Sequence, residues 1–99
     1  MRVKKVKIPR VIDLGCNNKA VAVVDTNGNA LCVSYETPIA YAVREGGTRR
    51  TLYRLEFPYQ LKTPTTFRHW AAFARWEGHP ELANKKAYEA LPCATAVCS

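Results

Sequence analysis

The chain has 99 residues, enough for one domain with a modest core, and its composition (47% hydrophobic, 23% charged) excludes an intrinsically disordered protein. The formal net charge is +7, and no apolar run approaches the length needed to cross a membrane. The basic N-terminus is not followed by a long apolar stretch, so it does not read as a secretory signal. The expected location is the cytoplasm, where Cys16, Cys32, Cys93 and Cys98 would stay as thiols.

In chain order, Arg2, Lys4, Lys5, Lys7 and Arg10 all precede the first acid, Asp13, which leaves ten basic against eight acidic residues in the remainder. The excess charge therefore lies in an N-terminal arm. Such a cluster attracts phosphates, and the attraction falls with salt. The competing reading is a solvated first strand whose lysines protect an edge. Val3, Val6, Ile8, Val11, Ile12 and Leu14 predict one or two short strands broken at Pro9. After a turn at Gly15-Cys16-Asn17-Asn18, residues 20–25 predict a strand. Asn27-Gly28 signals a hairpin into a second strand over residues 30–35.

Residues 35–57 predict another hairpin. Ile39, Tyr41 and Val43 share one face, as do Tyr53, Leu55 and Phe57, and Gly46-Gly47 supplies the reversal. From Phe67 the period becomes helical, with Phe67, Trp70, Ala71 and Ala74 on one face and Thr65 or Thr66 as the cap. Gly78 ends that helix. Pro80 starts a second one, running to about residue 90, and Pro92 stops it. The fold class is α+β: an antiparallel meander of four to five strands, then one or two helices on one sheet face. Residues 1–91 form the domain and 92–99 a flexible tail. The expected core is Ile39, Tyr41, Val43, Tyr53, Leu55, Phe57, Phe67 and Trp70. Ala40, Ala42, Arg54 and Glu56 are expected to face water.

A set of short motifs now stands out: Thr37-Pro38-Ile39-Ala40-Tyr41, Leu52-Tyr53-Arg54, Tyr59, and Thr65-Thr66 with His69 three residues on. Together they resemble a small uncharacterised domain recurrent in phage-encoded proteins. Its members read roughly Tyr-x-Thr-Pro-Val-Ala-Tyr, then Tyr-Arg-Thr, then Tyr-Ser-x-Thr-Thr-x-x-His. The similarity covers residues 35–70 and breaks at residues 61–64, which lengthen the path from Tyr59 to Thr65. The resemblance implies a phage or prophage origin and carries no assigned activity.

No catalytic motif is present. His69 is the natural suspect for a base, but no carboxylate lies within one helical turn of it, and Asp13 and Asp25 sit in remote turns. A Cys32–His69 pair has no local signature. The competing reading packs His69 on Phe73 or bonds it to Thr65 or Tyr59. Cysteine and histidine spacings do not make a zinc site, and Gly46-Gly47 lacks the Gly-Lys-Thr of a phosphate loop. Neither metal nor cofactor is expected.

Two binding surfaces are expected instead. His69, Phe73 and Trp76 form a second line on the first helix, flanked by Arg68 and Arg75, a composition suited to a protein interface. The rival is that the second helix covers this line with Leu82 and Tyr88. The alternative surface, for DNA or RNA, combines Arg2, Lys4, Lys5, Lys7 and Arg10 with Arg49 and Arg50 at the hairpin tip. The leading expectation is a non-catalytic protein that binds a host or phage macromolecule, a protein rather than a nucleic acid. Inhibition of a host defence or nucleic-acid-processing complex fits that role, and a homodimer is compatible with it.

Overall fold

The computed structural model describes residues 10–15, 19–44 and 50–93. The expected strand segments before Pro9, the arm residues Arg2, Lys4, Lys5 and Lys7, the turn at Gly46-Gly47, Arg49, and Cys16 and Cys98 lie outside the described residues. Five strands run in sequence order across one antiparallel sheet: β1 (Arg10–Asp13), β2 (Ala20–Val24), β3 (Ala30–Ser34), β4 (Thr37–Arg44) and β5 (Arg50–Arg54). A 3-10 turn at Tyr59–Leu61 leads into α1 (Pro64–Trp76). A second 3-10 turn, Pro80–Leu82, and a short α2 (Lys85–Glu89) complete the order. This is an α+β meander with the helices on one face. Among the described residues no helix is long and apolar enough to cross a membrane.

The helix boundaries follow from local chemistry. Thr63, rather than the expected Thr65 or Thr66, caps α1: its extended backbone lets the side chain accept from the Thr66 N–H at 3.3 Å. Pro64 then occupies the first turn, where a missing N–H costs nothing. Gly78, at φ +87°, ends the helix as expected. The second helix is shorter than its periodicity suggested. Asn84, extended, accepts from the Ala87 N–H at 2.8 Å and starts α2 afresh, so residues 80–90 divide into two turns of different type. Nor is the chain loose at once after Pro92, because the Arg54 N–H donates to the Pro92 carbonyl at 2.9 Å and Cys93 bridges to Arg54 at the β5 edge.

The sheet face that meets the helices is lined by alanine. Ala20, Ala22, Ala30, Ala40 and Ala42 are fully buried, with Val24, Cys32 and Leu52 among them. This reverses the expected sidedness of β4 and β5: Ala40 and Ala42 face the core, while Tyr41, Val43, Tyr53 and Leu55 are only half-buried. The cause is a bulge. Cys32 pairs with Ala40 but Val33 pairs with Pro38, so Ile39 is an extra residue and both Ile39 and Ala40 are buried. The simple alternation that grouped Ile39 with Tyr41 and Val43 does not survive that insertion. Leu52 stands opposite Ala42 and so takes the core position in β5.

Small side chains let α1 lie close over β2 and β3. Trp70 and Phe73 fill the space, both fully buried, with ring centroids 6.1 Å apart. Tyr88 closes the other flank. Its ring meets Trp70 at 5.3 Å and Phe67 at 5.6 Å, and its hydroxyl donates to the Ile39 carbonyl at 2.7 Å. Burial pushes the Tyr88 phenol far above its ordinary value, so it stays a donor. The Trp70 indole N–H donates to the Leu82 carbonyl at 2.8 Å, which fastens the second 3-10 turn to α1.

Trp70→Ala therefore removes both a core volume and that tether. The expected cost is about 3–5 kcal/mol, a large share of the ~5–15 kcal/mol available to such a domain. Denaturant unfolding measures it, and a loss below about 1 kcal/mol would contradict this packing.

Candidate functional site

The helical line singled out in the sequence divides between core and surface. Phe73 is fully buried and His69 nearly so, which overturns their expected place at a surface. Arg68, Arg75 and Trp76 remain exposed. The helical phase explains the split: with α1 lying over β2 and β3, the His69–Phe73 line takes the sheet side. Phe67, expected in the core, turns half-buried toward Tyr88 and α2. The second helical segment does contribute to covering α1, but at Phe67 and Trp70 rather than at Trp76.

Among the described residues His69 bonds Ser34 and not Thr65, while the Tyr59 side chain lies outside them. The His69 Nδ1 lies 2.6 Å from Ser34 Oγ, both side chains being almost fully buried. Burial, and secondarily the neighbouring Arg68 charge, lower the His69 pKa, so the ring is neutral at physiological pH. Beside this pair Tyr35 adopts φ +58°, the left-handed region, at a cost of about 1–3 kcal/mol for a residue with a side chain. Tyr35 is held by an N–H bond to the Lys19 carbonyl at 2.6 Å, and its ring lies 5.4 Å from that of His69. An apolar hollow of about 130 Å3 opens there between Tyr35, Ile39, Phe57 and Leu61, with Ser34 and Thr66 in its lining. That volume is below the ~300 Å3 at which small-molecule sites begin. Among the described residues no three His, Cys, Asp or Glu side chains form a metal-ligating group.

The other face of the sheet has a different character. Register places Val11, Val23, Leu31, Tyr41 and Tyr53 in one row across all five strands. Val21, Val33 and Pro38 form a second row, and Val43 lies beside Thr51. Val11 is 68% exposed and the inner members of the rows are half-buried. Among the described residues, α1, the second 3-10 turn and α2 contribute side chains to the core on the alanine face. The signal of the other face was present in the sequence: the strands are apolar in both phases, and the larger side chains occupy the phase without a helix.

The basic residues gather at one end. Arg44 and Arg50 are cross-strand partners, and with Arg10 they line an open polar cleft beside the turn formed by Asp25, Thr26, Asn27 and Gly28. Arg50, expected at the hairpin tip as part of the nucleic-acid surface, is built into the fold. Its Nη1 lies 2.8 Å from the Glu77 carboxylate, its Nε–H donates to the Gly28 carbonyl, and its guanidinium sits 5.7 Å from the Trp76 ring. Arg44 entered no sequence-based site, because a lone arginine at a strand end carries no signal until its partners are known.

The chain matches no protein-family model, no curated protein and no solved structure.

The Ser34–His69 pair sets a pH dependence. A histidine whose folded pKa lies below its ordinary value of 6.5 takes up a proton more readily when unfolded. Stability is therefore full above about pH 6.5 and falls as pH drops from there toward the lowered folded pKa. The melting temperature of the wild type should fall between about pH 7.5 and about pH 5, and by less in His69→Gln. Equal slopes in the two proteins would exclude His69 as the source.

Proposed function

We propose that the protein is a small, non-catalytic binding module that docks on a protein partner through the outer face of its sheet. The observation that carries this reading is the row Val11, Val23, Leu31, Tyr41 and Tyr53, left without a covering layer by the described elements while alanines line the opposite face. Sheets apolar on both faces are usually covered on both. A second layer would sit about 10 Å away and bury these side chains as a core half.

Charge narrows the kind of partner. Among the described residues, the only charged side chain on the outer positions of the five strands is Asp13, at the β1 edge, in a chain of formal charge +7. A neutral, aliphatic and tyrosine-bearing surface suits an apolar protein surface rather than a phosphate backbone. The phage-type resemblance of residues 35–70 makes a host or phage protein the partner. Inhibition of a host defence or nucleic-acid-processing complex is the role we assign to that contact. Trp76, with Arg68 and Arg75, lies on α1 on the helix side of the sheet and is not needed for it. In this reading the buried Ser34–His69 bond braces β3 against α1 and does no chemistry.

The test compares wild type with Leu31→Glu and Tyr41→Glu as baits in nuclease-treated host lysate. Both variants should keep the native circular dichroism spectrum. Proteins held by the wild type should be lost from both, with binding weakened by about 2 kcal/mol or more. Retention of the same proteins by the folded variants would remove the outer face as the docking surface.

A further inference from the structure

We propose that the cleft lined by Arg10, Arg44 and Arg50 binds the phosphodiester backbone of a nucleic acid. This site lies on the helix side of the sheet and is independent of the outer apolar face. Register puts Arg10 opposite Val24, and Arg44 opposite Arg50, with Val24, Ala42 and Leu52 of the same face all buried toward the helices. Three guanidinium groups from three strands thus converge on one end, around an open depression of about 460 Å3.

Three features separate this cleft from a set of merely solvated arginines. First, Arg44 and Arg50 are like charges placed directly opposite on neighbouring strands, an arrangement that destabilises a sheet unless an anion compensates it. Glu77 compensates Arg50 at 2.8 Å, but among the described residues no carboxylate pairs with Arg44 or Arg10. Second, the one acid in the lining is already engaged: Asp25 Oδ1 accepts from the Asn27 N–H at 2.8 Å and the Asn29 N–H at 3.0 Å.

Third, Arg44 is held in place. Its backbone N–H donates to Asn29 Oδ1 at 2.9 Å, and its side chain lies over Gly28, where a Cβ would stand 3.2 Å from Arg44 Cδ. Gly28, at φ +88°, thus serves both the turn and the arginine above it. Side chains already positioned lose less entropy on binding. Arginine forks match phosphate oxygens geometrically, and three of them against one engaged carboxylate favour a polyanion over a single carboxylate. The sequence continues the charge on both flanks, with Lys7 before Arg10 and Arg49 before Arg50.

The experiment measures fluorescence anisotropy of labelled single-stranded and duplex oligonucleotides against salt, for wild type, Arg10→Gln/Arg44→Gln and Arg44→Lys. Both arginines are exposed, so the variants should fold, which circular dichroism checks. The double substitution should weaken oligonucleotide binding about tenfold or more at low salt. It should also flatten the salt slope by about 0.7 to 0.9 for each phosphate that is no longer neutralised. Arg44→Lys should keep the slope and give up part of the affinity. Pyrophosphate, as the probe for a free phosphate ligand, should compete only weakly. Unchanged binding by the double variant, or pyrophosphate binding as tightly as the oligonucleotides, would overturn the proposal.

Discussion

Contact between a large-residue helix face and an alanine sheet face is the constraint on which the rest of this structure depends. Trp70 and Phe73 are too bulky to lie over β2 and β3 unless the sheet beneath them is flat and small. Ala20, Ala22, Ala30, Ala40 and Ala42 provide that surface. The large side chains come from the helix and the small ones from the strands, so the two layers fit together. Tyr88 then completes the packing by joining the helices to the backbone of β4 through its hydroxyl.

That division has a consequence on the other side. A strand that turns its small residues to the helix must place its large ones outward, because side chains alternate. Val23, Leu31, Tyr41 and Tyr53 are outward for this reason. The open apolar face is therefore tied to the choice of core, not an accident of loop placement. A partner that covered it would give these strands the second layer that their composition suits.

Element type and order were legible in the sequence, because Asn27-Gly28, Gly78 and Pro80 punctuate it and the hydrophobic period changes clearly near Phe67. Sidedness was not. In residues 20–24 and 39–43 both phases are apolar, so alternation alone could not choose, and the habit of putting larger residues inward chose wrongly for Tyr41 and Val43. The helix line had the same difficulty: Phe73 and Trp76 are both aromatic, and only the position of the sheet separates the buried one from the exposed one. The Arg44–Arg50 pairing depends on hairpin register, and the Arg50–Glu77 ion pair joins residues 27 apart, so neither had a local signal.

The bulge at Ile39 acts on β4 as a reading-frame shift acts on a message. One additional residue before Ala40 decides which parity of every later position in the strand is inward. Deleting Ile39 would leave Pro38 opposite Val33 and Ala40 opposite Cys32 in plain alternation, so the faces would stand, whereas one more residue after Ala40 would exchange them from Tyr41 onward. Tyr41 would then compete with the helix layer for an alanine-sized space. The strand is thus more tolerant of substitution than of an insertion past its bulge, and added residues are expected in the turns on either side of it and not within residues 40–44.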